Sequence, residues 1–312
     1  MLYSSGPQPF FVLLTGLYKP EYRIVLLGKT GVGKTKIGDG ILGNNRNGFE
    51  SRSSLECQKK TQDFRGQILT VVVTPDLFEN RLTDVDVRRE IHRCICFAAP
   101  GPHVFLVVFQ TGSFTEEDKE IVRRIQHMFG ETAARYIMVL FTCGDDPEAD
   151  SVTIDEFISN NPPLGNFISQ CGGKYHVFNN RMEDPSQVRE LLEKINTMVK
   201  ENGGSYYSNR MFDKAEEAIK KEVERLINKE NMTPEEATYR AERKNKFIQD
   251  TAAAGATVGL VGGPVGAAVG ATVGIVGASV GAATGGLVGS GVGAGVHYIP
   301  AAKIKKKACV LQ

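Results

Sequence analysis

The residues with the most chemistry to offer lie near the start of the chain. Gly28-Lys29-Thr30-Gly31-Val32-Gly33-Lys34-Thr35 fits GxxxxGK[ST] at every defined position and directly follows the apolar run from Tyr22 to Leu27. A strand, a glycine loop and a helix start in that order present backbone N–H groups and a helix N-terminus to an anion. The glycines permit positive φ and close approach of the backbone. Lys34 would reach the β- and γ-phosphates, and the Thr35 hydroxyl would ligate Mg²⁺. The expected ligand is a nucleoside triphosphate or diphosphate, and Lys36 extends the candidate loop by one residue.

Such a loop needs a sheet behind it. From 22 to 200, mostly apolar strand-like runs at 22–27, 67–74, 103–110, 136–142 and 174–178 alternate with helical stretches at 34–42, 83–97, 115–129, within 154–170, and 186–200. Continuous rather than alternating hydrophobicity fits strands covered on both faces, hence an α/β, parallel-dominated, doubly wound sheet. Thr115 with Asp118 reads as a capped helix start.

At 312 residues there is room for this domain and appendages. A formal charge of +1 gives no global field for nucleic acid, so none is expected as a partner. The cysteines at 57, 94, 96, 143, 171 and 309 form no CxxC pair and suit reduced thiols better than a disulfide or zinc framework. Cys94 and Cys96 are expected to pack rather than react, and the histidines at 92, 103, 127 and 176 to be structural.

Outside the domain, 1–20 forms a leader, and 201–250 a charged helical extension. There Phe212, Ala215, Ile219, Val223 and Leu226 make one apolar stripe, and Thr233, Pro234 and Glu236 mark a second helix start. Between 251 and 302 no Asp, Glu, Lys or Arg occurs, and many glycines recur four apart. In water that content penalises a helix by roughly 1 kcal/mol per glycine. In a bilayer, small residues on one face let helices approach closely. A Gly-rich membrane hairpin turning near 274–279 is therefore expected, against a flexible tail. The final 303–312 are polybasic and end Cys309-Val310-Leu311-Gln312, a CaaX pattern that would carry a prenyl group on Cys309. Prenylation and the nucleotide pool both place the protein on the cytoplasmic face of an intracellular membrane.

Several further blocks carry a resemblance. Phe49-Glu50-Ser51, the run from Gly101 to Val108, Phe114 to Asp118, Phe129 to Ala134, Cys171-Gly172-Gly173 and Phe178-Asn179-Asn180, taken with the phosphate loop, resemble the immunity-associated GTPases, the GIMAP family, over roughly 20–200. The resemblance implies a Ras-like guanine-nucleotide domain, GTP or GDP as cofactor, and homo-oligomers or hetero-oligomers with related GTPases on membranes. It places Ser51 against the nucleotide. It also sets Asp146, with Asp145 as second choice, where a carboxylate reads the guanine N1 and N2 groups, and Asn179 or Asn180 beside the base.

The pattern breaks at the terminal phosphate. Where relatives carry Asp-Thr-Pro-Gly, this chain has Val73-Thr74-Pro75-Asp76. Valine cannot organise a Mg²⁺ shell, and Asp76 sets a negative charge where a phosphate oxygen would sit, so a weakened Mg²⁺ site and slow or absent hydrolysis are expected. Ser53 or Ser54 would substitute only weakly for the family's missing switch threonine. The competing expectation is a nucleotide-independent scaffold that pairs with active relatives. A third is a GTPase completed by a dimer partner.

Overall fold

The structure is a computed structural model that describes residues 21–43, 48–49, 55–64, 66–76, 83–143, 153–179 and 184–253; for Asp84 and 251–253 it describes the backbone alone. Its centre is a six-stranded sheet in the order β2-β3-β1-β4-β5-β6, built from β1 (Glu21–Leu27), β2 (Gln58–Phe64), β3 (Gln67–Val73), β4 (Val104–Gln110), β5 (Ile137–Thr142) and β6 (Tyr175–Phe178). All neighbours pair in parallel except β2 and β3, which run antiparallel.

The sequence reading missed β2. Its residues, Gln-Lys-Lys-Thr-Gln-Asp-Phe, are half-exposed or exposed along their length, as an edge strand permits. The remaining strands fall within a residue or so of the apolar runs. Their residues point alternately into two cores, which explains the unbroken hydrophobicity. Ile24, Leu26, Val71, Val73, Leu106 and Val108 meet α1 (Lys34–Ile41) and α6 (Pro185–Glu201) on one face. Val25, Leu27, Val72, Phe105, Val107 and Phe109 meet α2 (Asp84–Ala98), α3 (Glu116–Phe129) and α5 (Pro162–Gln170) on the other.

Local chemistry sets the helix ends. Thr115 and Asp118 form a reciprocal capping box at the start of α3, and Thr153 with Glu156 does the same for the short α4 (Ile154–Ser159). The stretch 154–170 is thus two helices, with Pro162 and Pro163 opening the second. A 3-10 turn, Glu131–Tyr136, leads into β5.

The extension packs on the domain. It comprises α7 (Arg210–Glu230), α8 (Pro234–Arg243) and α9 (Lys246–Ala253), with Thr233 and Glu236 capping α8 as expected. Tyr207, Phe212, Ala215 and Ile248 belong to the same hydrophobic cluster as β4 and α2. The Tyr207 hydroxyl donates to the Phe129 carbonyl at 2.7 Å, and its backbone N–H to Pro102 O at 2.9 Å. Gly101 is required at that contact, because a Cβ there would stand 1.8 Å from Tyr207 O. Arg23 completes the junction, its Nε donating to Gly101 O at 2.6 Å while its guanidinium lies over the Tyr206 ring. On α9, Phe247 stacks on His92 of α2, and just before it Asn245 donates both to Cys96 Sγ and to Ala241 O.

One expectation is overturned. Cys57 and Cys94 are joined in a disulfide, with Cα atoms 5.8 Å apart. Cys57 immediately precedes the unpredicted β2, whose position brings it against α2; without that strand their proximity could not be read. Cys96 and Cys171 are buried thiols outside any disulfide.

Candidate functional site

The loop Gly28–Gly33 leaves the end of β1, which lies between β3 and β4. In open α/β sheets, ligands bind beyond the carboxyl ends of the strands at this kind of crossover. Gly28, Gly31 and Gly33 all have positive φ, at 147°, 89° and 89°. At Gly28 space forbids a side chain as well: a Cβ would come within 2.6 Å of Val108 O. The neighbouring strands fix the loop from both sides. Thr74 at the end of β3 donates through its hydroxyl and its N–H to Leu26 O, and Thr142 at the end of β5 donates through Oγ1 to Val32 O at 2.9 Å. These two threonines position the loop, and neither was among the sequence candidates.

Lys34 opens α1 yet is 8% exposed. Its ammonium turns back into the loop and donates to Gly28 O at 2.6 Å and Lys29 O at 2.7 Å. Burial pulls its pKa down to about 8, opposed by the nearby Asp76 carboxylate. An incoming phosphate would favour the charged form and reverse that shift. Lys29 points the other way, its ammonium 3.0 Å from Asp118 Oδ2. That oxygen also accepts from Thr115 N and Thr115 Oγ1, each at 2.8 Å, so one carboxylate caps α3 and holds the outer side of the loop. Thr30 and Gly31 are exposed at the crest, Thr35 is half-buried, and Lys36 faces solvent.

Asp76 enters from the turn after β3. It is 5% exposed, and its Oδ2 accepts the Thr30 N–H at 2.8 Å. Val73, the last residue of β3, is buried in the core shared with α1 and Phe49. A Cβ on Gly38 would lie 3.2 Å from Val73 Cγ2 and 2.7 Å from Phe49 Cε2, so this corner is closely filled with carbon. Phe49 is itself fixed by Asp39, whose Oδ1 accepts its N–H at 2.7 Å. Of the described residues at this corner, the Thr35 hydroxyl is an oxygen donor that would suit Mg²⁺, and the Val73 side chain offers none. Among the described residues, no group of three or more His, Cys, Asp and Glu side chains could hold a metal.

The structure thus brings Gly28, Lys29, Thr30, Gly31, Val32, Gly33, Lys34 and Thr35 into one loop. Asn179, after β6, exchanges hydrogen bonds with the Gln187 side chain, its N–H donating to Oε1 at 2.6 Å. Ser51, Asp145, Asp146, Asn180 and Cys309 lie outside the described residues, as do the leader and 254–312. Among the described residues no helix is long and apolar enough to cross a membrane. Of the histidines, His103 is buried ahead of β4 and its Nδ1 accepts the Arg23 N–H at 3.0 Å; burial, with Arg23 beside it, brings its pKa down to about 4. His176 is buried within β6.

Comparison with known proteins agrees with this arrangement. The profile of the AIG1 family matches residues 22–227. Human GTPase IMAP family member 8 is 37% identical over 196 residues, covering 61% of this chain and 29% of that protein. Immune-associated nucleotide-binding protein 9 of Arabidopsis thaliana is 36% identical over 226 residues, covering 66% of this chain and 65% of that protein. The chain thus spans less than two thirds of the length of either relative. Among solved structures, Toc33 from Arabidopsis thaliana in complex with GDP and Mg²⁺ is similar at 16% identity, over 57% of this chain and 84% of that one, with a TM-score of 0.45. The FeoB G-domain from Methanococcus jannaschii is similar at 16% identity, over 58% of this chain and 99% of that one, with a TM-score of 0.41. With a phosphate loop at the crossover of a mostly parallel sheet and a profile match that runs into α7, the chain belongs to the AIG1 family.

Proposed function

We propose that this chain is a guanine-nucleotide-binding protein that holds its ligand chiefly by the phosphates and hydrolyses GTP slowly or not at all. The observation that carries the reading is the loop itself: three glycines at positive φ, and Lys34 folded inward at the start of α1. Backbone donors arranged in this way, with a buried lysine among them, form an anion cradle. Slow turnover is supported by what surrounds the cradle, with carbon at Val73 and a carboxylate at Asp76 where charge on the transferring phosphoryl group would need neutralising. Guanine selectivity rests on Asp145 or Asp146 and on Asn179 or Asn180, and Ser51 joins the contacts from the segment after Phe49. We further place the protein on the cytoplasmic face of an intracellular membrane, held by the 251–302 stretch and a prenylated Cys309, where it self-associates or pairs with related GTPases.

Titration of the full chain with fluorescent GDP and GTP, with and without Mg²⁺, tests the reading. GDP binding that Lys34→Ala abolishes in a folded protein supports it, and Mg²⁺ should add little to GTP affinity. A nucleotide-independent scaffold is the second reading, favoured by the internal partners that Lys34 and the Thr30 N–H already have. Absence of binding at high micromolar GDP would select it.

A further inference from the structure

The carboxylate of Asp76 occupies a place in the loop where a ligand's anion is expected. Phosphate loops bind through backbone N–H groups and a lysine that reaches the outer phosphates. Here one of those N–H groups, on the exposed residue Thr30, already donates to Asp76 Oδ2 at 2.8 Å. The same carboxylate lies close enough to Lys34 to stabilise its charged form. Asp76 is not a loose side chain that happens to touch the loop. It is 5% exposed, and two residues earlier Thr74 is pinned to Leu26 O by two hydrogen bonds, so the backbone that delivers it is anchored to the strand that delivers the loop.

A triphosphate differs from a diphosphate by one more charged phosphoryl group at the outer end. A fixed carboxylate sharing that end must be displaced or sit beside a like charge, and either outcome penalises the longer ligand more. We propose that Asp76 acts as a built-in surrogate for the terminal phosphate, making the site selective for a nucleoside diphosphate over the corresponding triphosphate. This rests on the nucleotide-binding reading above and adds the residue that sets the preference. The position is a specificity determinant: no bond is made or broken by it.

The test compares the full-length protein with its Asp76→Asn and Asp76→Gly variants, in titrations with fluorescent GDP and a non-hydrolysable GTP analogue. Circular dichroism confirms that each is folded. Asparagine keeps the shape and removes the charge; glycine removes both and is tolerated in such turns. Losing a charged acceptor on the Thr30 N–H should shift the preference by about 10- to 100-fold, the scale of a charge-assisted hydrogen bond. The wild-type protein should bind GDP at least tenfold tighter than the analogue. Both variants should recover analogue affinity by that factor while GDP affinity moves less than about threefold. If GDP binds but the ratio is the same in all three proteins, the surrogate role is wrong and the nucleotide reading stands. If neither ligand binds any of the three folded proteins, the nucleotide reading falls and this inference with it.

Discussion

The most telling perturbation is a change of pH across the range in which Lys34 titrates. Burial brings its pKa from 10.5 to about 8 in the free protein, so at pH 8.5 roughly three quarters of the molecules carry a neutral amine. A diphosphate seated on the loop needs the ammonium, so binding must draw a proton from the solvent. The expected uptake is about 0.7 proton per GDP at pH 8.5 and close to none at pH 7, where the lysine is already charged. Other buried groups do not confuse the measurement. His92, His103 and His176 have lowered pKa values and stay neutral, while burial pushes the Cys96 and Cys171 thiols up to about 12. The assay is calorimetric titration at fixed pH in two buffers of different ionisation enthalpy, whose difference in heat gives the protons taken up. Above pH 8 affinity should also fall by up to tenfold per unit. The free protein has a matching signature. Because the unfolded chain binds the Lys34 proton up to about pH 10.5 and the folded one only to about 8, unfolding free energy should rise by about 3 kcal/mol between those values. Equal heats in the two buffers at pH 8.5, with GDP bound, would refute the placement of this lysine against the phosphates.

Three further outcomes are expected from the scaffold. Gly101→Ala forces a Cβ to within 1.8 Å of Tyr207 O, so it should cost about 2–4 kcal/mol in chemical denaturation and loosen the extension; a cost under about 0.5 kcal/mol would remove the reason given for this glycine. Breaking the Cys57–Cys94 bridge, by reductant or by Cys94→Ser, opens a loop with a sequence separation of 37, for which chain entropy predicts a loss of about 4 kcal/mol; unchanged melting with and without reductant would contradict it. Asp118→Ala removes half of a capping box and the partner of Lys29, so urea midpoints should drop by the equivalent of about 1–3 kcal/mol, and an unshifted midpoint would show that this carboxylate does not hold the loop.

What could be read from the sequence is what local rules determine. The phosphate loop was legible because glycines at fixed spacing before a lysine have few other uses, and the buried strands because two covered faces demand unbroken apolar runs. The box at Thr115 and Asp118 followed from two side chains three residues apart. By contrast, β2 is invisible to hydrophobicity because edge strands are polar, and the Cys57–Cys94 pairing vanished with it. The bonds from Lys29 to Asp118 and from Thr142 to Val32 cross 89 and 110 residues, distances over which no sequence periodicity operates. Asp76 stood out in the sequence by its charge just after an apolar strand, but its bond to Thr30 depends on how closely the ends of β1 and β3 approach. The docking of the extension was similarly hidden: its apolar stripe predicted a buried face, not which surface would cover it.

The stacking of Phe247 on His92, and the reach of Asn245 to Cys96, have a mechanical corollary. The described chain stops at Ala253, about two turns beyond those contacts, so tension applied further along the polypeptide would reach α2 through them. Among the described elements, α2 is the next after β3 in the chain. Load carried by the polypeptide past Ala253 therefore falls on a helix packed against the same sheet whose first strand ends in the phosphate cradle.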